Sequence, residues 1–240
     1  MKIKSTVSLA LPAALIILAL PLAAQNRDPE TMSRVAELDA LHEVIYPIWH
    51  TAYPEKDYAA LRQFVPQVEG LAAKVYTAKL PGILRDKQAA WNKGVEALKK
   101  SVEDYRAAAS GPDNAALLQA AEKLHSRFES LLRLISPVLP EVDLFHQTLY
   151  VVYHRHLPNK EFDKIATAAE ELRAKAEKLL NARIPVWLKD KAESLKTAAA
   201  ALLAAAEELC ATVKAKDNQA VEKAVENLHT KYKAVESVFD

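Results

Sequence analysis

The chain repeats itself: residues 39–128 match residues 143–232 at a constant shift of 104 positions, without a gap. Identical pairs occur along the whole stretch and include Asp39 with Asp143, Tyr46 with Tyr150, Pro54 with Pro158, and Glu122 with Glu226. Self-similarity at one fixed offset is the signature of an internally duplicated chain. The sequence therefore predicts two copies of one structural unit.

Each unit is predicted to form four helices. In the first unit the helix boundaries lie at Asp28-Pro29, Pro54, Pro81 and Gly111. Asp113 is the expected N-cap of the last helix, as Asp217 is in the second unit. No stretch shows the alternation of apolar and polar residues that a half-buried strand requires. Helices of similar length joined by short loops favour an up-down-up-down bundle.

A proline-rich stretch, residues 136–140, separates the units. We therefore predict an all-α fold of two tandem up-down-up-down four-helix bundles, related by duplication at an offset of 104 residues. The expected domains are residues 25–136 and residues 137–240.

Residues 1–24 have the pattern of a secretory signal peptide. Lys2 and Lys4 precede an apolar run, and small residues precede a plausible cleavage position after Ala24. Pro12 and Pro21 interrupt a run that is already short for a bilayer span, which disfavours an uncleaved anchor. We expect a periplasmic or secreted protein with no stable membrane insertion after cleavage. A periplasmic protein is a further candidate partner.

Composition excludes several classes of function. The single cysteine, Cys210, rules out an internal disulfide, a cysteine-based zinc or iron–sulfur site and a CxxCH haem attachment. Only four glycines are present, and no phosphate-binding glycine motif occurs. The 32 basic residues balance 31 acidic ones, so no nucleic-acid partner is expected. No catalytic nucleophile motif is recognisable, which points away from an enzyme.

The histidines carry the strongest functional signal. Six of the seven fall into matched pairs at the shift of 104: His42 with His146, His50 with His154, and His125 with His229. Only His156 is unmatched, because the equivalent position in the first unit is Ala52. Histidine is the commonest metal-binding side chain, so these pairs favour a metal site in each unit. The alternative is histidine retained for packing since the duplication.

Helical geometry places His42 and His125 on facing flanks of the first and last helices of the unit, at similar heights. A carboxylate lies one turn before each of them, Asp39 and Glu122. The second unit repeats this arrangement with His146, His229, Asp143 and Glu226. We expect the histidines to ligate a transition-metal ion and the carboxylates to ligate it or orient the imidazoles. Mixed imidazole and carboxylate donors suit zinc, copper, nickel or iron.

Other matched residues are candidate accessory groups. His50 lies about 12 Å along the axis from His42, too far to share one mononuclear site directly. The accessory candidates are His50, His154, Tyr46, Tyr150, Glu103 and Glu207.

The pairs Asp39-x-x-His42 and Glu122-x-x-His125 resemble the Glu-x-x-His elements of carboxylate-bridged di-iron bundles. That family also uses single glutamates on its other two helices. Here the second helix has Glu69 in the first unit but Arg173 at the equivalent position of the second, and the third helix offers only Glu103. Histidines on the first and last helix also resemble the haem ligation of soluble b-type cytochromes.

Three classes of function therefore stay open. The leading expectation is a metal-binding protein for sequestration, delivery or sensing, with one site per unit. The second is an iron redox protein, holding a b-type haem or a carboxylate-bridged pair. The third is a helical interaction scaffold whose histidines only pack.

Overall fold

The computed structural model describes residues 28–239 of the chain. The expected signal peptide, residues 1–24, lies outside the described residues. All regular structure within the described range is helical, which confirms the predicted all-α class. None of the helices between residues 28 and 239 is both long and apolar enough to cross a membrane.

The first half of the described chain contains five α-helices, joined by shorter helical turns. They are α1 (Ala36–Pro47), α2 (Tyr58–Gln63), α3 (Val65–Thr77), α4 (Gln88–Ser110) and α5 (Asn114–Ile135). A π-helical turn (Ile48–Ala52) continues α1, and 3-10 turns precede α1 (Pro29–Thr31) and α4 (Gly82–Lys87).

The second half repeats most of these elements. Its helices are α6 (Pro140–Val151), α7 (Phe162–Leu180), α8 (Ala192–Ala215) and α9 (Asn218–Glu236), with a π turn at Val152–His156 and a 3-10 turn at Val186–Lys191. Each of these six elements begins 104 residues after its counterpart, with α7 standing for α2 and α3 together. Lys56 and Lys160, also 104 apart, share the same left-handed backbone conformation at φ 54°.

Several helix ends follow the predicted capping chemistry. The Asp113 side chain accepts hydrogen bonds from the backbone N–H groups of Ala115 and Ala116, and Asp217 accepts one from Ala220. Such caps satisfy N–H groups that have no partner inside the helix. The predicted N-caps of the last helix in each half are therefore confirmed.

Two parts of the first half differ from the simple four-helix expectation. Asp28 caps only the short 3-10 turn, and α1 begins later, at Ala36. The expected second helix is divided into α2 and α3 near Pro66, which stands in the first turn of α3. Proline has no backbone N–H to donate, so it favours the start of a helix over its interior. Glu170 occupies the equivalent position in α7, which runs unbroken.

Apolar side chains form two separate cores. One gathers buried residues between Val35 and Ile135, and the other gathers residues between Leu139 and Val235. Tyr150 is the exception, because it belongs to the second half by sequence yet packs in the first core. Cys210 is buried, as expected for a small apolar residue, and burial raises the pKa of its thiol.

The two halves meet closely at the 3-10 turn Gly82–Lys87. A Cβ atom at Gly82 would clash with Tyr150 Oη and would lie 2.7 Å from Glu30 Oε2. The Gly82 backbone N–H also donates to Glu30 Oε2 at 2.6 Å. The absence of a side chain at Gly82 is therefore what allows the Tyr150 hydroxyl to approach the turn.

We expect Gly82→Ala to lower the free energy of unfolding by about 1–3 kcal/mol, because the added methyl group overpacks this contact. Gly70→Ala is the matched control, since Gly70 lies in α3 with open space around its Cβ position. That change should stabilise the helix by roughly 0.5–1 kcal/mol. Urea denaturation measures both; equal stability of Gly82→Ala and wild type would show that the halves do not meet this tightly.

Candidate functional site

The two π turns carry the residues that shape the candidate site. Trp49 and His50 lie in the turn after α1, and Tyr153 and His154 lie at the equivalent places after α6. π turns are rare in proteins overall, but many of those that occur lie at functional sites, because the inserted residue redirects the side chains around it. Pro47 is not its cause, since Val151 stands at the equivalent position before the second π turn.

In the first half, the histidines stack on aromatic rings across the α1–α5 boundary. The His125 ring lies parallel to Trp49 with centroids 4.0 Å apart, and the His42 ring stacks on Phe128 at 5.3 Å. His50 lies against Tyr46 with centroids 4.5 Å apart. We call the set His42, Tyr46, Trp49, His50, His125 and Phe128 the first histidine face.

The second half repeats the arrangement between α6 and α9. The His229 ring stacks on Tyr153 at 3.9 Å, and His146 lies against Tyr232 at 4.4 Å. His154 lies 4.9 Å from the Tyr150 ring and 6.3 Å from the His229 ring, centroid to centroid. We call the set His146, Tyr150, Tyr153, His154, His229 and Tyr232 the second histidine face.

Burial keeps several of these imidazoles neutral. It lowers the pKa of His146 to about 3, with neighbouring His229 acting in the same direction. Burial is also the main cause of the lowered pKa values of His125, His154 and His229. A neutral imidazole offers one nitrogen lone pair and one N–H group, so each ring can accept one hydrogen bond or ligate one metal ion.

The predicted carboxylates have other partners in the structure. Asp39 pairs with Arg34, and Asp143 accepts hydrogen bonds from Gln147 and from Ser33 Oγ at 2.5 Å. Glu122 is exposed. Glu226 is exposed as well, and it accepts a hydrogen bond from the Tyr153 hydroxyl at 3.0 Å.

The accessory glutamates lie on exposed parts of α4 and α8. Burial raises the pKa of the Tyr76 phenol, in α3, to about 12, and the nearby negative charge of Glu103 adds to this shift. Glu207 is exposed on α8. The carboxylate nearest to a face histidine in the first half is instead Glu129, whose Oε1 lies 3.8 Å from His125 Nε2.

A cation from the first half covers the second histidine face. Arg85, in the 3-10 turn Gly82–Lys87, donates from Nη2 to Tyr150 Oη at 2.7 Å and from Nη1 to His154 Nδ1 at 3.1 Å. Its guanidinium carbon lies 5.1 Å from the Tyr150 ring centroid, within cation–π range. Because arginine has no acceptor, His154 Nδ1 accepts this bond and the His154 proton is on Nε2.

The two faces differ in exposure for that reason. Tyr150 is 5% exposed beneath Arg85, whereas its counterpart Tyr46 is 56% exposed. His50 is exposed, and its counterpart His154 is half-buried. The first face is therefore open to a ligand, and the second is already occupied by an arginine of the same chain.

The sequence pattern singled out the histidines together with Tyr46 and Tyr150, but not the other residues that surround them. Trp49 and Tyr153, whose rings stack on histidines, are both aromatic and lie 104 positions apart. This pairing is visible in the sequence and could have indicated them. Glu129 corresponds to Lys233, so the repeat gives no hint of it. Arg85 contacts Tyr150 and His154, which lie 65 and 69 positions further along the chain. No local sequence pattern reveals contacts over such separations.

Within residues 28–239, no group of three or more histidine, cysteine, aspartate or glutamate side chains is arranged to hold a metal ion. Comparison with protein-family models, with curated proteins and with solved structures found no match.

We expect the protein to lose stability as the pH falls below 6.5, because the pKa of His146 is about 3 when folded and 6.5 is its ordinary value. Between these values the unfolded chain binds the proton and the folded chain does not. The free energy of unfolding then falls by up to about 1.4 kcal/mol per pH unit from this residue alone.

Urea denaturation at pH 6.5 and 5.5 measures this slope. His146→Gln should flatten it, and the control His156→Gln should keep the wild-type slope because His146 remains buried. An unchanged slope in His146→Gln would show that His146 is not the group responsible.

Proposed function

We propose that the chain is a tandem duplication of one helical bundle, with domains at residues 25–136 and 137–240. The common offset of the helix starts, of the π turns and of the left-handed Lys56 and Lys160 supports this relation. The two separate apolar cores support it as well.

We further propose that the protein binds transition-metal ions through the histidines of its two faces, after export to the periplasm or the cell exterior. The single observation that carries this proposal is the repeated gathering of three histidines around a π turn, with burial lowering the pKa values of His125, His146, His154 and His229. Metal ligation requires deprotonated imidazole nitrogen, which these rings supply at neutral pH. Sequestration, delivery or sensing of the ion are the roles that suit such a site.

Binding requires side-chain rotation, because the histidines stack on aromatic rings instead of converging on one point. The first face is better suited to this movement, since Tyr46 and His50 are exposed. His125 retains 20% side-chain exposure and has Glu129 beside it. We therefore propose that the first face loads first, through His50 and His125.

The nature of the donors restricts the metal. Imidazole with a nearby carboxylate suits copper, zinc, nickel and iron, and affinity along that series is expected to be highest for Cu²⁺. A b-type haem would need two axial imidazoles, so His42 and His125 would both have to leave their stacks on Phe128 and Trp49.

Titration of the protein of residues 25–240 with Cu²⁺, Zn²⁺, Ni²⁺ and Fe²⁺ tests the proposal. His50→Ala and His125→Ala should each weaken the tightest binding step about tenfold or more, because each removes one ligand. His156→Ala is the matched control, since His156 lies outside both faces and pairs with Glu161 at 2.6 Å. The control should bind as wild type does.

Two results would refute metal binding by the faces. One is the absence of any binding with these four ions. The other is binding that is as tight in the double variant His50→Ala, His125→Ala as in wild type. A red protein with a haem absorption spectrum would instead favour the iron redox alternative.

Arg85 should control the second face. Because it donates to His154 Nδ1, a metal ion must either displace it or remove the Nε2 proton. Arg85→Met deletes the donor at similar length, so we expect the second binding step to tighten about tenfold, the equivalent of one charge-assisted hydrogen bond.

Lys189→Met is the control for Arg85→Met, because Lys189 is the equivalent residue on the other 3-10 turn. It should leave the second binding step unchanged. Equal second-step affinities in Arg85→Met and wild type would show that Arg85 does not compete with the metal.

A second candidate function, a helical interaction scaffold, is favoured by one specific observation. The second face already accepts a guanidinium through a phenol hydroxyl, an imidazole nitrogen and an aromatic ring. A face of this chemistry binds a cationic side chain without any metal.

A further inference from the structure

The contact between the halves pairs one turn with one face. The 3-10 turn Gly82–Lys87 of the first half lies on the second histidine face through Arg85, and Asp86 adds an ion pair with Lys233 at 3.0 Å. Within residues 28–239, one turn and one face are therefore used in this contact, and their counterparts are not.

The unused turn is Val186–Lys191, the counterpart of Gly82–Lys87. It presents two of the most exposed large apolar side chains among residues 28–239, Val186 at 89% and Trp187 at 69%. Exposed apolar side chains next to each other mark interaction surfaces. Tryptophan is also enriched among the residues that contribute most to protein–protein binding.

The unused face is the first histidine face, on which Tyr46 is 56% exposed and His50 is exposed. Tyr46 and His50 are the counterparts of Tyr150 and His154, the two residues that receive Arg85. The residue that would approach them from the unused turn is Lys189, also a cation, which stands where Arg85 stands in the first half.

We propose that the chain associates head to tail with a second copy of itself, the turn Val186–Lys191 of one copy docking on the first histidine face of the next. The contact between the halves is the template for this interface. It joins two different surfaces, so it is heterologous and builds either a closed ring or an open filament. The inference does not depend on metal binding.

Differences between the two turns and faces set the strength of this association. Val186 replaces Gly82, so Tyr46 must turn aside where Tyr150 does not, and Trp187 replaces Ile83 as the larger apolar group. Glu129 replaces Lys233, so it attracts Lys189 but repels Asp190, the counterpart of Asp86. The interface between copies is therefore more apolar and weaker than the contact within the chain.

Sedimentation velocity of residues 25–240 over a range of concentrations, in the presence of a metal chelator, tests the proposal. Wild type should associate with rising concentration, and Trp187→Ser should be monomeric under the same conditions. Leu144→Ser is the matched control, because Leu144 is a 45% exposed apolar residue outside the turn and both faces. It should associate as wild type does.

A gain of association is the sharper test. The triple variant Val186→Gly, Glu129→Lys, Lys189→Arg restores to the second interface the residues found in the contact between the halves. It should associate at least about tenfold more tightly than wild type, since it adds a buried-turn fit, an ion pair and a bidentate donor. A triple variant that is no more associated than wild type would overturn the proposal.

Cross-linking determines the direction of association. Lys189 and His50 correspond to Arg85 and His154, which are in contact. When Lys189→Cys and His50→Cys proteins are mixed and treated with a bis-maleimide cross-linker, the expected product joins the two different variants. Homodimers of the Lys189→Cys protein as the main product would indicate a symmetric contact of two turns and would refute the head-to-tail arrangement. Wild type that is monomeric at every concentration would refute it as well.

Discussion

The π turns at the ends of α1 and α6 determine which side chains meet on the two histidine faces. One additional residue in a helical turn rotates everything after it by about 100° relative to a regular α-helix. Trp49 and Tyr153 thereby reach the rings of His125 and His229 across the bundle. Stacking against these rings accompanies the burial that lowers the pKa values of His125 and His229.

The same chemistry allows both proposed uses of the faces. A neutral imidazole beside a phenol hydroxyl can ligate a metal ion or accept a hydrogen bond from a cation, but the lone pair on one nitrogen serves one partner at a time. In the second face Arg85 takes that place at His154. Among residues 28–239 no arginine takes the equivalent place at His50, which is exposed. The same sequence pattern thus lies in two different environments.

Much of the helical framework could be predicted from the sequence. Asp113 and Asp217 act as the expected caps, because a short acidic side chain at that position has one dominant use. The division of the expected second helix was not predicted: Pro66 stands in the first turn of α3, and Glu170 takes its place in the unbroken α7.

The faces were harder to predict for physical reasons. A regular 100° rotation places His50 two turns away from His42, and nothing in the local sequence announces a π turn. Arg85 acts over 69 positions along the chain at His154, and its contact depends on how the halves are placed together. Periodicity reports the faces of one helix, whereas these contacts involve three elements at once.

Tyr150 connects the two halves through its packing. It is covalently part of the second half, it is buried in the core of the first, and its ring receives Arg85 from the first. Opening the first core removes the packing around this side chain, and opening α6 withdraws it from that core. Because the two halves share this buried aromatic residue, we expect a change confined to one half to alter the hydrogen-exchange protection of both.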